Sequence, residues 1–261
     1  MLTKGSSASR HVGQLVDKIV EECADTRESL LGVTIAIQGI VGDASRISFG
    51  GLLGADDVRV SLEDFVPHLP APLHFVHDAE AAAYAELWRH RELQDFVYLS
   101  LNDHLGSAVV HEGTLLKGGP LGAGVAEHVV LRPGGEPCYC GGKGCAETVL
   151  GARSLERSCG LPVDEFFQRL RAGDATCKRL WDNYLSDLAL LIHNVRMVSC
   201  GDMMLGGRLA RFASDADLRV FRMRASEYGA LARTPFRLVR GHYSDMAAVM
   251  GASLLLVNEF L

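Results

Sequence analysis

His128-Val-Val-Leu-Arg-Pro-Gly-Gly-Glu-Pro-Cys138-Tyr-Cys140-Gly-Gly-Lys-Gly-Cys145 is the stretch on which the reading of this chain turns. One histidine and three cysteines fall within 18 residues, and four such donors can enclose a single tetrahedral zinc ion. Gly141, Gly142 and Gly144 let the backbone turn tightly enough for three sulfurs to converge. Closure by three thiolates and one imidazole leaves no open position, so a zinc ion held by His128, Cys138, Cys140 and Cys145 is expected to be structural and not hydrolytic. The plainer alternative is three free buried cysteines beside an unrelated histidine. Cys23, Cys159, Cys177 and Cys200 stand singly in apolar or helical surroundings and read as small buried residues.

Composition narrows the class. The chain has 261 residues, 48% of them hydrophobic and 22% charged, with a formal net charge of −6. That is a globular composition with enough apolar residues for a sizeable core. No apolar run approaches the roughly 18–20 residues of a membrane helix. The opening Met1–Gln14 has no apolar stretch of signal-peptide length, so a cytoplasmic location without membrane attachment is expected. Net acidity argues against nucleic-acid binding through this chain alone. Seven cysteines is an odd number, and three of them crowd into eight positions. A metal site in a reducing compartment explains that better than a disulfide framework.

Periodicity supplies the elements around the loop. Val12, Leu15, Val16, Ile19, Val20 and Cys23 recur at helical spacing, predicting a helix over about 9–24. Gly32–Gln38 is β-branched and bounded by glycine, predicting a buried strand. Residues 42–72 read as loop with short elements, and 73–76 as a short strand. Asp78–Trp88 has strong helix propensity, with Asp78 as its N-cap. Residues 96–101, 107–110 and 114–116 predict a meander that turns at Glu112-Gly113. Nine glycines and the cysteines occupy 118–147, a loop organised by something other than a core. Beyond it, 163–199 reads as helical with Leu180, Tyr184, Leu188, Leu191 and Val195 on one face. A strand over 203–205 closing on Gly206-Gly207, a helix near 214–226, a strand over 236–239 and a terminal helix over 244–259 complete an α/β chain.

Cys138-Tyr-Cys-Gly-Gly-Lys-Gly-Cys-Ala-Glu147, with a histidine ten positions upstream of Cys138, resembles the zinc signature of the ROK family (repressors, open reading frames and sugar kinases). The resemblance covers the chain from residue 9 onward. It implies the two-domain, actin-like (ribonuclease-H-like) ATPase fold, here with an incomplete N-terminal domain. A partial N-terminal α/β domain is expected over 1–95, with the terminal helix 244–261 packing back on it. A C-terminal α/β domain carrying the zinc loop is expected over 96–243. Members of the family form dimers, and some form tetramers, so a homodimer or homotetramer is expected.

The same resemblance proposes a site. In ROK kinases an aspartate takes the proton of the sugar hydroxyl that attacks the γ-phosphate, a role suited to a positioned carboxylate. His77-Asp78-Ala79-Glu80-Ala81 stands where kinases usually read Asn-Asp-Ala-Asn-Ala, so Asp78 is the candidate base and His77 its neighbour at the sugar. An ideal helix N-cap would explain Asp78 equally well. The family's Gly-Glu-x-Gly-His is Gly124-Val125-Ala126-Glu127-His128 here. Val125 cannot accept a hydrogen bond, and Glu127 falls two positions late, reaching a ligand only if the backbone shifts. His128 and Glu147 match the family's other sugar-contacting residues. On the nucleotide side, the Asp-x-Gly-x-Thr loop of the first hairpin has no counterpart. The usual Gly-Thr-Gly-x-Gly is Asn102-Asp103-His104-Leu105-Gly106, whose Asp103 would repel phosphate. Only Gly206-Gly207 matches the adenosine-side glycines, and a plain strand-to-helix turn explains them too.

These departures look like those of the family's sugar-responsive repressors, as do Tyr139 and Glu147-Thr148. The expected function is therefore a sugar-sensing or regulatory domain without kinase activity; the alternative is an ATP-dependent hexose or N-acetylhexosamine kinase using ATP and Mg²⁺. A sugar is the expected small-molecule partner on either reading. Residues 208–240 hold eight arginines against three acids, read as a solvated helix face.

Overall fold

The computed structural model describes residues 7–23, 31–38, 40–41, 46–48, 59–61, 72–116, 125–199, 201–229 and 234–258. Gly124, Cys200, most of 42–72 and the last three residues of the expected terminal helix lie outside them.

Helix α1 spans Ser7–Glu22 and buries Val16 and Val20 while leaving Leu15 and Ile19 exposed. Strand β1 (Val33–Ile37) pairs in parallel with β5 (Leu73–His77), in register Val33 to Leu73 through Ile37 to His77. Only Ile37 of β1 is buried, so the strand is half-covered where a buried one was expected. Between them β2 (Ile40–Val41), β3 (Arg46–Ser48) and β4 (Arg59–Ser61) form a small antiparallel sheet, supplying the short elements read in that stretch.

Helix α2 (Asp78–Arg89) follows β5 without a linker. Its N-cap is His77, in extended conformation, and Asp78 is the first helical residue. The expectation of Asp78 as N-cap is thus corrected by one position: the extended residue that precedes the helix is His77, the last of β5, and Asp78 is already helical. Five alanines of α2, at 79, 81, 82, 83 and 85, are buried. Side chains this small let α9 (Ala247–Asn258) lie close along α2, and α9 also packs against β1.

The principal sheet has the order β10-β9-β6-β7-β8, from Leu238–Arg240, Asp202–Gly206, Phe96–Leu101, Leu105–His111 and Thr114–Leu115. β6, β7 and β8 make the expected meander, and β9 and β10 join it in parallel. β7 begins at Leu105, earlier than the alternation suggested. All six residues of β6 are buried, as befits a central strand covered on both faces. Alternation sorts them. Val97, Leu99 and Leu101 join Met203 and Leu205 in a core beneath the helical layer, while Phe96, Tyr98 and Met204 face α2 and the start of α9.

The stretch 163–199, expected to be helical, is divided into two helices and belongs to a larger helical layer. That layer comprises α3 (Glu147–Leu150), α4 (Ala152–Cys159), α5 (Val163–Arg171), α6 (Ala175–Arg196), α7 (Gly207–Ala210) and α8 (Asp215–Glu227). The break between α5 and α6 falls at Gly173, whose φ is +94°. Asp174 then caps α6 by accepting from the Thr176 and Cys177 amides. Of the single cysteines, Cys177 is buried, while Cys23 and Cys159 are only half-buried. Much of the arginine surplus goes into ion pairs: Arg208, Arg211, Arg224, Arg237 and Arg240 each meet a carboxylate.

Candidate functional site

β5 and α2 deliver the first two groups. His77 ends the strand and Asp78 opens the helix, so the Asp78 carboxylate stands at the positive end of the helix dipole. Its Oδ1 accepts the Ala79 amide at 2.8 Å and lies 3.6 Å from His77 Nε2. Burial nevertheless holds the carboxyl above its ordinary range, against the opposing pull of His77, the Ala79 amide and Gln38.

Glu127 comes from a short 3₁₀ turn, Ala126–His128. Its Oε2 accepts the Ser107 hydroxyl at 2.6 Å, and Ser107 Oγ accepts the Ala126 amide at 2.8 Å, locking the turn onto β7. Burial pushes the Glu127 carboxyl up to about 7, and Glu147 and Asp78 nearby push the same way. Val125 is 45% exposed. The turn that exposes Val125 tucks Glu127 inward.

Asp78 and Glu127 line one small, partly enclosed cavity with Gln38, His77, His104 and Tyr139, and the backbone at Leu105 and Gly106 closes it. Glu147 stands immediately behind this wall. Its Oε2 accepts the Leu105 amide at 2.6 Å and its Oε1 meets His104 Nδ1 at 2.5 Å. His104 Nε2 in turn meets Arg153 at 3.2 Å. Glu147 therefore fixes the loop that forms the cavity floor.

His128 faces the other way. Its Nδ1 lies 3.7 Å from Cys138 Sγ, Cys140 Sγ lies 3.7 Å from Cys145 Sγ, and all four donor atoms fall within 4.8 Å of one another. A zinc–sulfur bond of about 2.3 Å sets tetrahedral sulfurs about 3.8 Å apart, so the spacing suits such an ion. Without an ion to hold them as thiolates, the buried sulfurs respond to burial and to one another. Burial pushes the Cys138 thiol up to about 12 and raises Cys145. Cys140, although burial opposes it, is held below the usual thiol range by the Gly142 amide and the neighbouring thiols. Burial also lowers His128, favouring the neutral imidazole that a metal needs. The loop's turn depends on Gly144, whose φ is +72° and whose Cβ would sit 1.7 Å from the Arg132 carbonyl oxygen. Tyr139 is the shared wall between the two regions, edge-on to His104 at 5.7 Å and to His128 at 5.2 Å.

Gly206-Gly207 lies elsewhere. A Cβ on Gly206 would overlap Tyr98 Oη at 1.9 Å, and Gly207, at φ +81°, approaches Asn102 Oδ1. That oxygen accepts the Arg208 amide at 2.8 Å. Asp103 pairs with Arg208 at 3.1 Å and Arg153 at 3.7 Å. Gly206 thus makes room for Tyr98 of β6, and Gly207 for the start of the β6–β7 loop.

A family model described as the ROK family matches residues 6–259. The chain belongs to the ROK family. A relative from Escherichia coli O9:H4 (strain HS), named N-acetylmannosamine kinase, is 29% identical and aligns over 88% of this chain and 80% of its own length. Among solved structures, a ROK family glucokinase from Streptomyces griseus in complex with glucose and AMPPNP superposes with a TM-score of 0.77 at 20% identity, covering 93% of this chain and 87% of that one. A ROK family transcriptional regulator described as a homolog of the E. coli MLC protein gives a TM-score of 0.77 at 18% identity, covering 94% and 68%. The fold is accordingly the actin-like ATPase fold of ROK proteins. Among the described residues no helix is long and apolar enough to cross a membrane.

Within this ROK fold, the structure gathers His77, Asp78 and Glu127 around one cavity, sets Glu147 one layer back, groups His128 with the cysteines, and leaves Gly206-Gly207 apart from both. Gln38 and His104 were absent from the expected site residues. Gln38 sits just past β1, whose register with β5 ends at Ile37–His77 and so puts it level with Asp78. In the sequence His104 stands out only as part of the stretch that replaces Gly-Thr-Gly-x-Gly.

Proposed function

We propose that the chain is a sugar-binding ROK protein in which Asp78 is the base that takes a proton from a sugar hydroxyl, the acceptor half of an ATP-dependent sugar kinase. The observation that carries this is the meeting of Asp78 and Glu127 in one partly buried cavity, with Glu147 bracing its floor. A carboxylate kept above its ordinary range is a better proton acceptor for a hydroxyl than a fully solvated one. The name of the E. coli relative supports an N-acetylated hexosamine or related hexose as substrate class. ADP release in the presence of glucose, mannose and N-acetylated hexosamines tests the reading. Sugar-dependent turnover that Asp78→Asn abolishes supports it; binding without turnover reduces it to the sensor reading below; neither binding nor turnover overturns it.

One observation favours the sugar-responsive regulator instead. At the loop where phosphate would be cradled, Asp103 supplies a fixed negative charge and engages Arg208 and Arg153, while Arg208 also meets Glu156 at 3.4 Å. In this arrangement the loop residues do not fit a nucleoside triphosphate.

Zinc is the ion we assign to His128, Cys138, Cys140 and Cys145, because three sulfurs and one imidazole at tetrahedral spacing match its preferences. Such an ion would cross-link the loop and hold Glu147, two residues beyond Cys145, against Leu105. The division into 1–95 and 96–243, with the terminal helix returning to the first part, is likewise proposed; the packing of α9 on α2 and β1 supports it. A cytoplasmic location and a homodimeric or homotetrameric assembly are proposed on family resemblance.

A further inference from the structure

A carboxylate that takes a proton from a hydroxyl has to be ionised and has to present a lone pair in the right direction. At Asp78 burial works against the first condition, and four contacts work for it: His77, the Ala79 amide, Gln38 and the residue's own amide. Three of the four belong to the run His77–Ala79. His77 Nε2 stands 3.6 Å from Oδ1, and the Ala79 amide donates to the same oxygen at 2.8 Å. With one oxygen anchored at the start of α2, the plane of the carboxyl can still swing. Gln38 is the contact that comes from a different element.

Gln38 is the first residue past β1, and it is half-buried. The register pairs Ile37 with His77, so the next step along each strand brings Gln38 level with Asp78. Its side chain lines the same cavity and hydrogen-bonds the carboxyl. A primary amide suits this place, because it donates without carrying charge. A cation there would weaken the base, and an acid would repel it. The titratable groups that surround Asp78 are His77 on β5, Tyr98 on β6, His104 in the β6–β7 loop, Glu127 in the 3₁₀ turn and Tyr139 in the cysteine loop. Glu127 and Asp78 disfavour each other's charge, which makes a neutral donor on Asp78 matter more.

We infer that Gln38 is a positioning residue for the base: from the end of β1, its amide holds the Asp78 carboxyl so that an oxygen faces the sugar hydroxyl. The inference rests on the reading of Asp78 given above and adds a residue outside α2 and the cysteine loop. Nuclear magnetic resonance titration of the full chain tests it. In the unmodified protein the Gln38 side-chain amide signals are expected to shift with the midpoint of the Asp78 carboxyl, which is identified by its loss in Asp78→Asn. In Gln38→Ala that midpoint is expected to rise by about one pH unit, since a donor to the charged form is lost. Alanine admits water, so added burial does not account for a rise. The acid limb of sugar-dependent ADP release should move to higher pH by the same amount, with kcat about tenfold lower and the KM for sugar changed far less. Gln38 signals indifferent to Asp78, or a midpoint and acid limb unchanged in Gln38→Ala, overturn the inference and leave the sugar site standing. Sugar binding without turnover by the unmodified chain removes the base and the inference with it, and absence of sugar binding removes the site as well. The first measurement uses the unmodified chain, so a Gln38→Ala that fails to fold leaves the test decisive.

Discussion

The cysteine loop and the cavity beside it share Tyr139 as a wall, yet they are built in opposite ways. The loop draws all four donors from 18 consecutive residues, and its geometry follows from local turns such as the one at Gly144. The cavity draws on the end of β1, the β5–α2 junction, the β6–β7 loop and the 3₁₀ turn before the cysteines. One is held by covalent proximity and, on the proposed reading, by an ion. The other is held by tertiary packing, with Ser107 and Glu147 as its cross-braces. A locally encoded site should fail all at once when a donor is lost, and a packed site should fail by degrees.

That contrast can be broken experimentally, and the largest effect should come from the metal loop. Cys145→Ser, or exhaustive chelation, is expected to lower stability by several kcal/mol, about 3 or more, since a structural zinc ion contributes folding free energy directly. Thermal unfolding with and without chelator, alongside elemental analysis, checks this. One zinc per chain is expected in the untreated protein, and none in the variant. If sugar binding survived full metal loss, the two regions would be uncoupled and the bracing role given to Glu147 would be wrong.

Second in size is Asp78→Asn. If the chain turns over sugar and ATP, the substitution is expected to reduce kcat by about 10²–10⁴-fold with little change in stability. Binding of sugar should persist, because the amide still hydrogen-bonds. A coupled ADP assay and a titration on the same preparation separate the two outcomes.

Glu147→Gln sharpens the comparison further. One buried oxygen accepts the Leu105 amide and the other meets His104, so the substitution should cost about 1–3 kcal/mol and loosen the cavity floor. Chemical denaturation measures the stability, and a weaker sugar affinity measures the loosening. At the small end, Arg132→Ala removes a 2.6 Å pair with Asp187 that ties the metal loop to α6. The arginine is more than half exposed, so about 0.2–1 kcal/mol is expected. A larger loss would mean that the loop relies on its surroundings more than its local construction suggests.

The same contrast explains what could be read from the residues alone. The candidate metal site is legible because its donors and turn glycines are contiguous. The meander over 96–116 is legible because alternation and a Glu112-Gly113 turn with both φ values positive encode it locally. The cavity is only partly legible. Asp78 and Glu127 carry recognisable chemistry, but nothing in the run Gln38 to His104 says that two distant loops meet. The β1–β5 register that levels Gln38 with Asp78 is a tertiary fact. Helix boundaries near Gly173 escaped for a related reason. A period of 3.6 continues across a three-residue break, and only the left-handed glycine and the Asp174 cap mark it.

The claim on which the rest stands is that a sugar seats between Asp78 and Glu127. A crystal structure of the chain soaked with a hexose or an N-acetylated hexosamine addresses it most directly. The account predicts a ligand oxygen or nitrogen within hydrogen-bond distance of both carboxylates, with the four donors of the adjoining loop around a single metal ion. Saturating sugar that leaves this cavity empty, or that binds at another face of the molecule, would contradict it.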